Sequence, residues 1–293
     1  MHSVGVPSST STSRSVSIVL GVRAIADDRP SRIAESFDYL GAVLFTIGLV
    51  TLLVSLDQGH AWGWTSPLTL GLVVLAVVVL IAFVRVERNQ SHPMLDLSLS
   101  GSRVFSAASM SALFNYICVY SVLFVLPFLL IQGRGLNTQR AGLVLTAQPI
   151  VMAIVAPISG ALSDRIGSRW LATGGMIILA IGLADIARLA ARGSLGAIAL
   201  GLSIIGLGIG LFVSPNNSAL MGAAPRHRQG IAAGVLATAR NVGMVLGVGL
   251  AGAVFTTIID RGGPSPLVHG VQGSLMAAVG VAALGAITAF VRE

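Results

Sequence analysis

Charged residues are scarce in this chain of 293 residues: only 10% are Asp, Glu, Lys or Arg, against about a quarter in an ordinary globular domain. The sequence holds a single cysteine, Cys118, which excludes a disulfide framework and a thiol metal site. Because Cys118 lies within an apolar run, we expect it to be a small buried side chain. The basic residues are all arginines in short connections, with no patch interleaved with aromatics, so we expect no nucleic-acid partner despite the formal charge of +7.

Signatures of catalysis and of cofactor binding are also missing. The sequence contains no GxSxG motif, no Walker A pattern and no glycine-rich dinucleotide loop in a strand–helix context. None of the histidines stands in an HExxH motif or beside a carboxylate at ligand spacing. We therefore expect no enzyme, no cofactor and no metal. A membrane-embedded enzyme would require a convergent cluster of catalytic residues, which the sequence does not display.

Long apolar runs are what the sequence has in abundance, since 54% of its residues are hydrophobic. Several runs last about 17–25 residues, the length that a helix needs to cross roughly 30 Å of hydrocarbon. The predicted spans lie at about Tyr39–Leu56, Pro67–Val84, Phe105–Ile131, Ala141–Leu162, Trp170–Leu189, Leu195–Val213, Ile231–Ile259 and Val271–Val291. They predict an all-α polytopic membrane protein with about eight transmembrane helices, which has the lipid bilayer as a partner.

Arginines in the connections predict the orientation of these spans, because positive charge is retained on the cytoplasmic side of a membrane. One set of alternate connections holds twelve arginines: Arg14, Arg23, Arg29, Arg32, Arg85, Arg88, Arg103, Arg165, Arg169, Arg226, Arg228 and Arg292. The other set holds five: Arg134, Arg140, Arg188, Arg192 and Arg261. Both termini are therefore predicted to be cytoplasmic.

Composition along the chain predicts three parts. The Ser/Thr-rich start is typical of disorder, and residues 1–36 are expected to combine this segment with the remnant of a preceding helix. The longest polar connection between spans, 87–102, separates a two-helix unit, 37–98, from a six-helix unit, 99–293. Three pairs of glycines four residues apart should let helix backbones approach closely: Gly206 and Gly210, Gly230 and Gly234, Gly243 and Gly247.

The stretch "ISGALSDRIGSRWLATGG" puts the densest small cluster of charge into a turn between two apolar runs. Gly160 and Gly167 permit close packing and a sharp reversal. Asp164 is expected near the N-terminus of the following helix, where the helix dipole favours a carboxylate. Arg165 and Arg169 should fasten the turn to the cytoplasmic face. A solvated turn that merely obeys the charge rule is the alternative.

These residues resemble the pattern G-x-L-[AS]-D-[RK]-x-G-[RK]-[RK] of cytoplasmic turns in the major facilitator superfamily. The matching residues are Gly160, Leu162, Ser163, Asp164, Arg165, Gly167 and Arg169. Ser168 departs from the pattern, since it takes a place that is usually basic. Together with "FDYLGAVLFTIGLVTLLVSLDQGHAWGW", "SHPMLDLSLSGSRVF" and "PRHRQGIAAGVLATARNVGMVLGVGLAGAVF", the motif is similar to the fourteen-helix drug:proton antiporters of that superfamily.

The resemblance implies the two extra helices and the C-terminal six-helix bundle of such an antiporter, without the first six-helix bundle. It implies a multi-pass cell-membrane protein that takes part in multidrug efflux, with small amphipathic or cationic drugs and protons as partners. A separately encoded N-terminal bundle or a second copy of the chain would complete the transporter. The turn around Asp164 would act as a conformational latch. A truncated, non-transporting membrane protein or scaffold is the alternative.

Polar residues inside membrane spans are expensive, so each is a functional candidate. Tyr116 and Tyr120 share one helix face, Asn115 borders it, and Gln148 lies in the following span. If these faces converge, they could line half of a drug cavity; hydrogen bonding between helices is the alternative.

Charged residues inside or near the ends of spans are further candidates. Asp185 and Arg188 are three residues apart and can pair on one helix face. Arg240 lies within the seventh span. It is expected either to snorkel to the membrane surface or to face the interface with the missing bundle.

Overall fold

A computed structural model describes residues 39–63, 66–89, 102–225, 228–263 and 265–292. Across these ranges the regular structure is helical and no strand occurs, so the predicted all-α fold is confirmed. The expected disordered segment 1–36 and most of the connection 87–102 lie outside the described residues.

All eight predicted spans are helical in the structure. The helices are α1 (Tyr39–Trp62), α2 (Pro67–Asn89), α3 (Arg103–Pro127), α4 (Thr138–Leu145), α5 (Ala147–Ile166), α6 (Ser168–Leu189), α7 (Leu195–Gly222), α8 (Gln229–Asp260) and α9 (Pro266–Phe290). A short π-helical turn, Phe128–Gly133, extends α3. The predicted bounds differ most from the observed ones at the helix ends, because polar residues continue a helix beyond its apolar run.

Seven segments of the described chain are long and apolar enough to cross a membrane. They correspond to the second through the eighth predicted spans. In α1 the apolar stretch Leu40–Leu52 is shorter than the other seven, so its crossing stays a prediction. The side chains of Val74 and Val78 on α2 are more than half exposed, as expected for a helix that faces lipid.

Two prolines shape the ends of neighbouring helices. Pro127 stands where the α-helical ladder of α3 gives way to the wider π-helical turn. The predicted span Ala141–Leu162 is interrupted at Thr146, between α4 and α5. Pro149 lacks an N–H group, so it cannot donate to the carbonyl of Leu145 four residues earlier, and the ladder is weakest at this point.

The six helical spans from α3 to α9 pack into one unit. Helix α7 contacts α5 and α6; α9 contacts α3, α6 and α8; and α3 also contacts α8. Helices α1 and α2 pack against each other, and α1 also touches α8. The core is made of aliphatic side chains such as Leu179, Leu183, Leu202 and Ile205, all fully buried. This arrangement leaves α5 and α8 at the edges of the unit, with one face of each uncovered.

Glycine sets the close helix contacts at two of the three predicted pairs. A Cβ atom on Gly210 would lie 2.8 Å from Val155 of α5, and one on Gly247 would lie 2.5 Å from the carbonyl oxygen of Ile117 of α3. The prediction for the third pair was wrong, because nothing lies within 4 Å of a Cβ atom on Gly230 or Gly234. Both fall on an exposed face near the start of α8, where no helix approaches.

Candidate functional site

The reversal between α5 and α6 needs only one residue, Gly167. Its φ of 87° and ψ of 150° lie in a region that is essentially confined to glycine. The Gly167 N–H donates a hydrogen bond of 2.9 Å to the carbonyl of Ser163, which closes the last turn of α5. The sequence motif therefore builds a rigid corner, as its glycine predicted. We call the side of the unit that carries this corner the Gly167 end.

The other motif glycine, Gly160, brings α5 close to α7. A Cβ atom at this position would lie 2.6 Å from Oγ of Ser214. Ser159 of α5 reinforces the contact, because it donates to the carbonyl of Gly210 on α7 over 2.7 Å. Ser163 donates within α5, to the carbonyl of Gly160 over 2.9 Å. The corner is thus held firmly against α7.

Asp164 does not stand where the sequence placed it. It lies in the last turn of α5, two residues before the helix ends, and α6 has no side-chain cap and no acidic residue in its first turn. The helix dipole disfavours a carboxylate at a C-terminus. Asp164 and Arg165 are both exposed, and neither side chain makes a hydrogen bond or ion pair with any residue that the structure describes. Both charges are therefore available to a partner outside the described residues.

Two arginines connect the corner to the end of α9. The guanidinium carbon of Arg169 lies 4.3 Å from the ring centroid of Phe290 and 5.6 Å from that of Trp170, a cation–π arrangement. Arg292, which is 1% exposed, donates to Oγ of Ser168 over 3.5 Å. The corner is therefore fixed to α9 as well as to α7.

Arg292 also donates to Oδ1 of Asn216 on α7, and Nδ2 of Asn216 donates to the carbonyl of Ala108 on α3 over 3.1 Å. Ser111 of α3 lies 3.5 Å from the same Oδ1 atom. Sequence reasoning missed this network because it counted Arg292 only as a surface charge. The amide of Asn216 inside an apolar helix was the available signal, since a polar side chain there needs partners.

Two of the four predicted cavity residues are buried in helix contacts. Asn115 is fully buried, with Nδ2 3.6 Å from Sδ of Met176 on α6, and its Oδ1 has no hydrogen-bond partner among the described residues. Gln148 is buried at the start of α5, where its backbone carbonyl contacts Gly206 of α7. Asn115 thus lies against α6 and Gln148 against α7, and no hydrogen bond joins the two amides.

The other two predicted cavity residues, Tyr116 and Tyr120, remain partly exposed, and Tyr116 lies close to Arg240. Arg240 is exposed and comes one helical turn before Gly243, where a Cβ atom would lie 2.7 Å from Cβ of Tyr116. Tyr116 interacts electrostatically with both Arg240 and Tyr120. Asn241, next to Arg240, is exposed as well. We refer to Tyr116, Tyr120, Arg240 and Asn241 as the Arg240 face.

Asp185 and Arg188 do not pair in the structure, although their spacing allows it. Neither makes an ion pair with any described residue; Asp185 is half-buried beside Gly201, and Arg188 is exposed. The arginine that does bind near this end of α6 is Arg134. It donates to the carbonyls of Leu189 and Ala190 over 3.2 and 3.0 Å, which caps the C-terminus of the helix.

Comparison with known proteins places the helices in a family. Residues 33–248 match the Major Facilitator Superfamily. The riboflavin transporter RibZ of Clostridioides difficile is 32% identical over 240 residues, which cover 82% of this chain and 51% of that protein. The multidrug resistance protein Stp of Mycobacterium tuberculosis is 31% identical over 221 residues, covering 75% and 41%.

A third relative is the tetracenomycin C resistance and export protein of Streptomyces glaucescens, 27% identical over 240 residues that cover 82% of this chain and 45% of that protein. The chain spans about half the length of the curated relatives it matches. The superfamily expected from the motif around Asp164 is confirmed. With a match over 33–248 and helices that fit a membrane transporter, the chain belongs to the major facilitator superfamily.

Proposed function

We propose that the chain is part of a proton-coupled exporter of small amphipathic compounds in the cell membrane, of the fourteen-helix drug:proton antiporter type. The observation that carries this proposal is the likeness to relatives named as a multidrug resistance protein and as a resistance and export protein. In this assignment α1 and α2 are the two extra helices, and 99–293 is the C-terminal six-helix bundle. Both termini are cytoplasmic, so the Gly167 end faces the cytoplasm.

Transport then requires a second six-helix bundle, because two bundles must rock about a site near the middle of the membrane. The length of the relatives supports this requirement, since this chain spans about half of each. The second bundle is an N-terminal segment, a separately encoded chain or a second copy.

The corner at Gly167 acts as a latch between the two bundles. Asp164 and Arg165 project from a corner that is fixed to α7 and α9, and they have no partner among the described residues. Residues of opposite charge on a second bundle can form ion pairs with Asp164 and Arg165 when the cytoplasmic side closes. These ion pairs break when that side opens. Gly160, Gly167 and Arg169 hold the corner in position and do not themselves bind the partner.

The Arg240 face forms one wall of the substrate pathway. Tyr116 and Tyr120 present aromatic rings and hydroxyl groups to it. Asn115 lies behind them, against Met176 of α6, whereas Gln148 lies apart from the wall in the contact between α5 and α7. Amphipathic compounds suit such a wall, because rings bind apolar surfaces and hydroxyl groups give orientation.

Protons are the coupling ion in this proposal, and the second bundle carries the coupling carboxylate. In the described helices every Asp or Glu lies within five residues of a helix end. A proton-carrying carboxylate works best near the middle of the membrane, where alternating access exposes it to both sides. This chain offers no such group in its described part.

The test is dye uptake into energised inverted membrane vesicles, where export from the cytoplasmic side carries the dye into the lumen. The chain is produced alone and as a fusion with the half of the Mycobacterium tuberculosis relative that it does not match. We expect pH-gradient-driven transport by the fusion, abolished by a protonophore, and none by the chain alone. Asp164→Asn in the fusion should reduce transport at an unchanged amount of inserted protein. A fusion that inserts but never transports would favour the non-transporting scaffold.

A further inference from the structure

Arg240 is the one charged residue of the described helices that lies more than five residues from a helix end. It stands eleven residues after the start of α8 and twenty before its end, about 16 Å along the axis. The depth of the Arg240 face below the Gly167 end can be measured along α6, a helix of 22 residues. Met176 is eight residues after Ser168 and contacts Asn115, the neighbour of Tyr116. The Arg240 face therefore lies about 12 Å inside the Gly167 end.

A lipid-facing position does not suit this part of α8. Arg240 and Asn241 are adjacent, both polar and both exposed, whereas the exposed residues of α2 that face lipid are aliphatic. Charged and amide side chains at membrane depth face water or a protein partner, because hydrocarbon cannot solvate them. The uncovered face of α8 around Arg240 is therefore a polar surface.

No acidic side chain that the structure describes neutralises the charge of Arg240. Arg240 makes no ion pair with the described residues, and the helices α3, α7 and α9 that pack against α8 contain no Asp or Glu. Helix α8 itself carries only Asp260, at its opposite end, about 30 Å away. Helix α1 touches α8, and its one carboxylic residue, Asp57, is five residues from the end of that helix.

One aromatic ring, that of Tyr116, stands beside Arg240, and a second, that of Tyr120, follows one turn further along α3. Tyr116 and Tyr120 are one turn apart on α3, partly exposed, and Tyr116 packs against Gly243, one turn from Arg240. A guanidinium binds carboxylates, sulfonates and phenolates through charge-assisted hydrogen bonds, and tyrosine rings bind flat apolar bodies. We propose that the Arg240 face binds planar aromatic anions and rejects planar cations. This inference rests on the proposed function for the place of the face in a transport pathway.

Binding of two dyes with the same tricyclic ring system tests the charge preference. Fluorescein is an anion in alkaline buffer, whereas tetramethylrhodamine methyl ester is a cation. We measure fluorescence anisotropy with the purified chain in a non-ionic detergent. We expect fluorescein to bind at least about tenfold more tightly than the rhodamine. Arg240→Gln should abolish this preference, and Arg240→Lys should keep most of it, since a lysine retains the charge.

The matched control is Arg188→Gln, which removes an exposed arginine from α6 and should leave both affinities unchanged. Retained burial of Cys118, measured as slow reaction with a maleimide, verifies the fold of each variant. Binding of the rhodamine that equals or exceeds that of fluorescein would overturn the inference, and so would a lack of binding of both dyes. A loss of the preference for fluorescein in Arg188→Gln as large as that in Arg240→Gln would also overturn it. Because binding is measured without transport, a failed efflux assay with intact anion preference would contradict the exporter proposal alone.

Discussion

The guanidinium of Arg292 donates a hydrogen bond to Oδ1 of Asn216, and this contact joins the end of α9 to α7 across 76 positions of sequence. Asn216 in turn donates to α3, and Arg292 reaches Ser168 at the start of α6. Four helices therefore meet in one buried polar network at the Gly167 end. A corner that serves as a latch must keep its position relative to its own bundle. Otherwise movement of the second bundle would displace the corner and leave the rest of the bundle unmoved.

Arg292→Ala should destabilise the chain. A hydrogen bond to a charged group contributes about 1.5–3 kcal/mol, and the substitution also leaves buried Oδ1 of Asn216 with a weaker set of donors. The readout is thermal unfolding in detergent, followed by a fluorogenic maleimide that reacts with buried Cys118 as it becomes accessible. Arg188→Ala, at an exposed arginine without an ion pair among the described residues, should keep the wild-type midpoint. Equal midpoints for the two variants would show that the network contributes no stability.

Gly247→Ala should destabilise the contact between α3 and α8. The new methyl group would lie 2.5 Å from the carbonyl oxygen of Ile117, so the helices must separate, at a cost of about 1–3 kcal/mol. Gly230→Ala on the same helix meets nothing within 4 Å and should be neutral or slightly stabilising. The same maleimide assay compares the two variants. A midpoint for Gly247→Ala at or above that of Gly230→Ala would contradict the described packing.

Gly167→Ala should strain the corner between α5 and α6. With φ at 87° and ψ at 150°, a residue with a Cβ atom costs about 1–3 kcal/mol more than glycine. Gly174→Ala, inside α6 with open space around it, is the control and should be tolerated. In the fused transporter we expect Gly167→Ala to lower the rate of efflux, because the corner shifts relative to its partner. Unchanged stability together with unchanged efflux would show that the corner needs no glycine.

The predicted topology places the ends of α1 and α8 outside the cell and the Gly167 end inside. Single cysteines in place of Trp62 and Arg261, both exposed, should react with a membrane-impermeant maleimide added to whole cells. A cysteine in place of exposed Arg165 should react only after the cells are opened. Labelling of the Arg165→Cys variant in whole cells would contradict the predicted orientation.

The helices could be predicted from sequence, whereas their rotation could not. Run length and hydropathy locate the seven membrane-crossing segments of the described chain, because hydrocarbon thickness sets the length of an apolar helix. The same information cannot tell which side of α3 faces its neighbours. Asn115 and Tyr116 are adjacent, yet the first is fully buried and the second partly exposed.

The candidate site shows the same division between local and distant features. The corner at Gly167 was predictable because it depends on one short motif, and the shared face of Tyr116 and Tyr120 follows from helical spacing. The closeness of Tyr116 to Arg240 was not predictable, because it depends on the packing of α3 against α8, helices far apart in sequence. The partnership of Arg292 with Asn216 was hidden for the same reason.

In the proposed transporter the Arg240 face lines a water-filled pathway and does not contact lipid. Asn241→Cys tests this placement in membrane vesicles that contain the fused transporter, where the other half supplies the opposite wall. Since Cys118 is the single native cysteine of this chain and is buried, the same fusion with Asn241 intact gives the background of labelling. Val78→Cys, at an exposed position of aliphatic α2, is the lipid-side control.

The decisive measurement is the rate of reaction of these two cysteines with a charged methanethiosulfonate reagent. A pathway position predicts fast reaction of Asn241→Cys, slowed when fluorescein is present, and a reaction of Val78→Cys close to background. Equally slow reaction of both cysteines with the charged reagent, combined with fast reaction of both with a lipid-soluble maleimide, would place Asn241 in lipid and contradict the account.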